Sequence, residues 1–265
     1  MERIKKKDTF LNSSEIEKQM PDIIADFHGT LYRDENEGPL WRHVAKQAIK
    51  PAEILQHPVR TVAFWKAKPA LEELAERYKR GEIGYDQIYR AYNELVLSHL
   101  PVSFVRTAIE GFAALPETKQ KLDSRVLGPI SQSPGRKGIL STGSRDFISY
   151  VLRDGIRWDA IQANRVLGNG KGGSRFELDV YGNKPQKLQV HFFSPHGFNF
   201  DPRQTVYLGD NADEEPAFEY VRSMGGKVVI PFYATDAFKQ RAATEYKAEV
   251  PKDQEELSRF LRSLK

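Results

Sequence analysis

Four short apolar runs, each running into a polar cluster, restrict what this chain can become more than any other feature. They are Asp22-Ile-Ile-Ala-Asp26, Gly138-Ile-Leu-Ser141, Thr205-Val-Tyr-Leu-Gly209 and Lys227-Val-Val-Ile-Pro231. Runs this brief and this rich in branched side chains suit strands buried on both faces rather than helices. Helical patterns accompany them. Ser144 is placed to cap a helix from Arg145 through Arg153, with Phe147, Ile148, Val151 and Leu152 on one face. Pro216 to Met224 gives another, stopped by Gly225-Gly226, and Glu255 to Leu264 a last one. Strands that alternate with helices must cross over to pair in parallel, so the expected core is a doubly wound α/β sheet covered on both faces.

From about Pro39 to Lys121 that rhythm breaks. The pattern becomes helix upon helix: Leu40 to Ile49, Pro69 to Tyr78, Tyr85 to Leu97 and Val102 to Ala113, with prolines 51, 58, 69, 101 and 116 read as breaks. The expected organisation is an α/β core from residues 1–33 and 125–265, interrupted by a smaller all-helical domain over residues 34–124. At 265 residues with 40% hydrophobic side chains, the chain has material for both.

Charge and composition narrow the function. A net charge of +4 is too thin a surplus to indicate nucleic-acid binding, though gathered in one cleft it would favour a small anionic substrate. The chain has no cysteine, which removes disulfides, thiolate chemistry and zinc–cysteine sites. The basic start, Arg3 to Lys7, leads into polar residues rather than an apolar stretch, and no run approaches a membrane span; a cytoplasmic enzyme is expected. Oligomeric state is not legible.

Three of the polar clusters hold groups that phosphoryl transfer needs. Ligands of open α/β sheets bind outside the carboxyl ends of the strands. There Asp26, in Asp26-Phe27-His28-Gly29-Thr30-Leu31, offers a carboxylate followed by a glycine that lets the chain turn. Ser141 and Thr142 offer hydroxyl and backbone donors to a phosphate. Gly209-Asp210-Asn211-Ala212-Asp213-Glu214-Glu215 is an acidic, hard-oxygen cluster suited to Mg²⁺. A cation must also stand between the nucleophile and a dianionic phosphate, and Lys184, in Gly182-Asn183-Lys184-Pro185, is the best candidate.

Asp26-x-His28-Gly29-Thr30-Leu31 resembles the first motif of the haloacid dehalogenase superfamily, Asp-x-Asp-Gly-Thr-Leu. Ser141 is similar to the second motif, Lys184 with Leu188 to the third, and Gly209-Asp210-x-x-x-Glu214 to the fourth. All four occur in order. The long stretch between Asp26 and Ser141 matches the cap that phosphoserine phosphatase-like members carry after the first motif. The resemblance implies a magnesium-dependent phosphatase of small-molecule monoesters in which Asp26 forms an aspartyl-phosphate. It places Mg²⁺ between Asp26, the main-chain carbonyl of His28 and Asp210, with Glu214 acting through water. Ser141, Thr142 and Lys184 would hold the phosphate oxygens.

His28 stands where such phosphatases carry a second Asp as general acid and base. Three readings follow, of which the first is preferred because the rest of the site is intact: His28 as a working catalytic acid/base, since imidazole titrates near neutrality; a slow phosphatase for good leaving groups; or altered chemistry, such as phosphonate cleavage with a cap lysine (Lys66 or Lys68), or a catalytically weak binding protein. Glu214 is preferred to Asp213 because its register to Pro216 fits. The formal GxGxxG at Gly168–Gly173 precedes an alternating stretch rather than a helix, so a hairpin turn is expected there.

Overall fold

The computed structural model describes residues 20–34, 37–50 and 58–264. A six-stranded sheet runs β4-β3-β2-β1-β5-β6, built from β1 (Asp22–Ala25), β2 (Lys137–Ser144), β3 (Ala160–Gly168), β4 (Ser174–Glu177), β5 (Thr205–Leu208) and β6 (Lys227–Val229). The four apolar runs are β1, β2, β5 and β6, all parallel. β3 joins them in parallel beside β2. The expected parallel core carries one antiparallel edge strand: β4 returns on β3 through the Gly168–Ser174 turn, the hairpin that the glycines signalled. β3 escaped the sequence reading because Gln162, Asn164 and Arg165 interrupt its apolar run. Asn164 is buried only because its side-chain amide is satisfied by the Thr142 carbonyl and the Val180 N–H.

Strand order reverses at β1, with β2 on one side and β5 on the other, so the crevice above their carboxyl ends is the switch point where open sheets bind ligands. Alternate strand residues feed two cores, as a period of two requires. Ile23, Ala25, Val206 and Leu208 join one; Ile24, Leu140, Tyr207 and Val228 join the other.

Between β1 and β2, helices α1 (Gly38–Ala48), α2 (Pro58–Lys79), α3 (Tyr85–Leu95) and α4 (Val102–Ala113) form a helical layer, followed by α5 (Pro116–Lys119) and α6 (Ser124–Gln132). Pro69 does not break a helix, as the sequence suggested; it sits exposed inside α2. The layer is fastened to the sheet edge. Asn93 of α3 donates to the Phe176 carbonyl at 2.8 Å and accepts from the Phe176 N–H at 2.6 Å, and Ser174 Oγ donates to the carbonyls of Leu97 and Leu100. The remaining helices are α7 (Arg145–Val151), α8 (Lys184–Lys187, running on as a π-helical turn to Phe193), α9 (Glu215–Ser223), α10 (Asp236–Glu245) and α11 (Gln254–Ser263).

At the opposite end of the sheet, Asp22 opens β1 and is nearly buried. Arg136 grips it with two side-chain bonds, Nη2–Oδ2 at 2.6 Å and Nε–Oδ1 at 2.9 Å, and the N–H groups of Arg136 and Asp201 add two more at 3.3 Å and 3.1 Å. Arg136→Met leaves the buried carboxylate only those main-chain donors and is expected to lower stability by about 2 kcal/mol. Asp22→Ala should cost less, because the freed guanidinium is exposed enough to hydrate. Urea midpoints at unchanged m-value check the order; equal losses would contradict it.

Candidate active site

The end of β1 delivers Asp26 into the crevice, its N–H continuing the ladder to the Leu208 carbonyl at 2.9 Å. Asp26 follows Ile24 on the face that β5 lines with Tyr207, since Ile24 and Tyr207 are register partners. Helices α8 and α9 cover that face. Lys184, the first residue of α8, reaches in from it and is 5% exposed. Its Nζ donates to Asp26 Oδ1 at 3.0 Å and to Glu214 Oε1. The other Glu214 oxygen accepts from the Tyr207 hydroxyl at 2.6 Å. Glu214, expected beside a metal through water, has one oxygen engaged by Lys184 and the other by Tyr207.

On the other side of Asp26, Gly29 turns the chain at φ +74°, and a Cβ there would lie 2.2 Å from Asp210 Oδ2. The glycine is required both by its left-handed backbone and by the close approach of a carboxylate. Thr30 Oγ1 donates to Asp210 Oδ1 at 2.9 Å, and the Tyr233 hydroxyl donates to the Thr30 carbonyl. Ser141 is fully buried, one residue beyond the level of Asp26 by the β1–β2 register. Its Oγ accepts from the Gly143 N–H at 3.2 Å, which leaves its own proton to be donated. Thr142 contributes its carbonyl to Asn164 and stands less buried.

His28 lies in an aromatic box of Phe27, Tyr32 and Phe147. Its Nδ1 is 3.3 Å from the Asp34 carbonyl, and its Nε2 is 3.5 Å from Glu37 Oε1. Burial works against the imidazolium, but Glu37, Asp26 and the Asp34 carbonyl outweigh it and raise the pKa above its ordinary value. Glu37, 2% exposed, also accepts from Trp41 Nε1 at 3.1 Å, from the Tyr89 hydroxyl at 3.3 Å and from the Ser144 N–H. Sequence reasoning missed Glu37, Tyr207 and Tyr233. A phenol inside an otherwise aliphatic strand run was a usable signal for Tyr207; nothing in the local sequence tied Glu37 to His28.

Lys66 and Lys68 are exposed on α2, with Lys68 paired to Glu72 at 3.7 Å and set over Trp65. Neither belongs to the cluster around Asp26.

No protein-family model matches the sequence, and no curated protein matches it. Solved structures do. A protein of unknown function from Bordetella pertussis Tohama I superposes with a TM-score of 0.61 at 13% identity, covering 88% of this chain and 98% of that one. Cytosolic 5′-nucleotidase IIIB bound to cytidine gives 0.57 at 13% identity, covering 93% and 87%. A probable phosphoserine phosphatase from Vibrio cholerae gives 0.56 at 15%, covering 93% and 67%. This is the haloacid dehalogenase fold, in its phosphoserine phosphatase-like form.

In haloacid dehalogenase terms the crevice is electrostatically incomplete. Two buried carboxylates, Asp26 and Glu214, and the half-buried Asp210 face one ammonium. Burial pushes Asp210 up to about 7, with the Asp26 charge adding to it. Burial likewise raises Glu214 to about 7 against the pull of Lys184. Burial opposes the Lys184 charge too, yet Asp26 and Glu214 hold its ammonium above the usual range. Among the described residues no three His, Asp or Glu side chains form a metal cage. A hard cation would meet two neighbouring carboxylates here, Asp26 and Asp210, a sparse donor set of the kind Mg²⁺ accepts because it keeps several waters. Asp210→Asn is expected to raise the melting temperature without metal, by removing a buried like charge. It should also abolish the rise that Mg²⁺ gives the native chain, about 3 kcal/mol at a hundredfold excess over Kd. Thermal melts with and without Mg²⁺ at neutral pH check both; an unchanged metal response in the variant would remove Asp210 from the site.

Proposed function

We propose that this chain is a magnesium-dependent phosphohydrolase acting on a small-molecule phosphate monoester, with Asp26 as the nucleophile. The observation that carries it is the buried Lys184 ammonium held between Asp26 and Glu214 at the switch point of the sheet. A buried cation beside a carboxylate is what an anionic substrate needs in order to approach an anionic nucleophile. The phosphoserine phosphatase and 5′-nucleotidase names of the structural neighbours point to the same class of substrate.

In this reading Asp26, oriented through Oδ1 by Lys184, attacks phosphorus. A bond forms from its carboxylate to phosphorus as the ester P–O bond breaks, giving an aspartyl-phosphate. Water then releases inorganic phosphate and restores the carboxylate. Lys184 and the Ser141 hydroxyl hold the phosphoryl oxygens, with Thr142 beside them. Asp26 and Asp210, with the His28 main-chain carbonyl, would hold Mg²⁺, which would supply charge neutralisation there. The helices of residues 34–124 act as the cap that screens this chemistry from bulk water.

The leaving group sets the limit. A general acid must reach it, and His28 is buried in its aromatic box, with Nδ1 turned to the Asp34 carbonyl and Nε2, which makes no hydrogen bond, 3.5 Å from Glu37 Oε1. That observation favours the second reading of His28: hydrolysis of esters whose leaving groups depart without a proton. Nothing around Lys66 or Lys68 supports phosphonate cleavage.

Phosphate release from a panel of monophosphates, aryl and alkyl, with and without Mg²⁺, tests the proposal. Release should require Mg²⁺ and fall by about a thousandfold or more in Asp26→Asn; release that survives that substitution would remove the nucleophile. Aryl esters should be turned over much faster than alkyl esters, and His28→Asp should narrow the gap. A His28→Ala variant that loses alkyl-ester hydrolysis selectively would restore His28 as the acid.

A further inference from the structure

The Glu214 side chain is held at two ends, and only one of its partners belongs to the proposed chemistry. The other, Tyr207, lies in the middle of β5 with no exposed surface. Its ring packs edge-on against Phe218 at 5.8 Å within the core of Ile24, Phe192, Phe218 and Val228. Phenylalanine would fill the same space without the cost of burying a hydroxyl. What the hydroxyl adds is one bond, to Glu214 Oε2 at 2.6 Å. Burial, and the negative charge of Glu214, keep the phenol protonated and therefore a donor.

Geometry gives that bond a direction. Glu214 closes a one-turn helix, Ala212–Glu214, just beyond the end of β5, and folds back over the strand. A Cβ on Gly209 would lie 2.7 Å from Glu214 Cγ, so the missing side chain at 209 is what admits this return path. With Oε2 fixed by Tyr207, Oε1 faces Lys184; without it the carboxylate can rotate about its last bond and the lysine loses a fixed counter-charge. Lys184 would then be oriented by Asp26 alone, pairing closely with the nucleophile that it is required to free for attack.

We propose that Tyr207 is a positioning residue for this site: by holding Glu214 it keeps the Lys184 ammonium poised between the nucleophile and the phosphoryl group. It touches no substrate. The added methylene of Glu214, relative to an aspartate, lets one carboxylate span the tyrosine and the lysine.

This inference rests on the phosphohydrolase reading for its kinetic arm and not for its structural arm. Tyr207→Phe and Glu214→Ala are made singly and together, and kcat and KM are measured on an aryl phosphate with Mg²⁺ beside thermal melts. Tyr207→Phe should lower kcat by about tenfold or more, as loss of a hydrogen bond to a charged group predicts, with the melting temperature retained. In the Glu214→Ala background the same substitution should change kcat by less than about twofold, because its effect travels through Glu214. An equal loss in both backgrounds, or none in the native one, overturns the proposal. Independently of turnover, a crystal structure of Tyr207→Phe should show the Glu214 carboxylate turned away from Lys184. A Glu214–Lys184 contact unchanged from the native one overturns the proposal. If the native chain releases no phosphate from any ester, the phosphohydrolase reading fails and this structure alone decides the role of Tyr207.

Discussion

A single buried ammonium organises this molecule. Lys184 is withdrawn from water and is tolerated there because Asp26 and Glu214 flank it. Breaking such an arrangement leaves an uncompensated charge in the interior, which is far more costly than the intact set. The surrounding structure is arranged to keep it whole. The β1–β5 register sets Asp26 on the same face as Tyr207, α8 begins at the lysine, and the loop after β5 folds its glutamate back toward the strand. A second tyrosine works on the other side, where Tyr233 holds the Thr30 carbonyl and Thr30 holds Asp210. Each carboxylate beside the nucleophile is thus steadied through a phenol contributed by a different part of the chain.

The fold and half of the site were readable in advance, and the division has a physical cause. β1, β2, β5 and β6 declare themselves because strands buried on both faces need unbroken apolar runs. β3 does not, because its polar side chains are satisfied by partners that only the fold supplies, as Asn164 is by Thr142 and Val180. Asp26 and Asp210 sit in short local motifs just past β1 and β5, Ser141 in one within β2 and Lys184 in one that opens α8. Glu37 reaches His28, Trp41, Tyr89 and Ser144 across distant parts of the sequence, so nothing near it in the chain marks it. Glu214 is read as a metal group from its resemblance to the fourth motif. Its contact with Tyr207 is visible only once the strand is buried.

His28 and Glu37 show how one substitution in a motif can be absorbed. The imidazole fills a box of aromatic rings, and its two nitrogens tie the turn after β1 to the segment leading into α1. Glu37 then carries that connection onward to Trp41 of α1, to Tyr89 of α3 and to the turn that ends β2. A position at the nucleophile's loop has become a joint between the sheet and the helical layer. The same surroundings that give the histidine a fixed place keep it buried beside Glu37, which is why the character of the leaving group governs the proposed reaction.

The Asn93 amide meets both backbone groups of Phe176, as the peptide of a neighbouring strand would. It therefore closes the outer edge of β4, where an unpaired ladder would invite another chain to add a strand. The helical layer and the edge of the sheet are thus joined through this side chain. If the helical layer lifted as a unit, it would uncover an adhesive border of the sheet, so motions that keep α3 seated are the ones that avoid self-association.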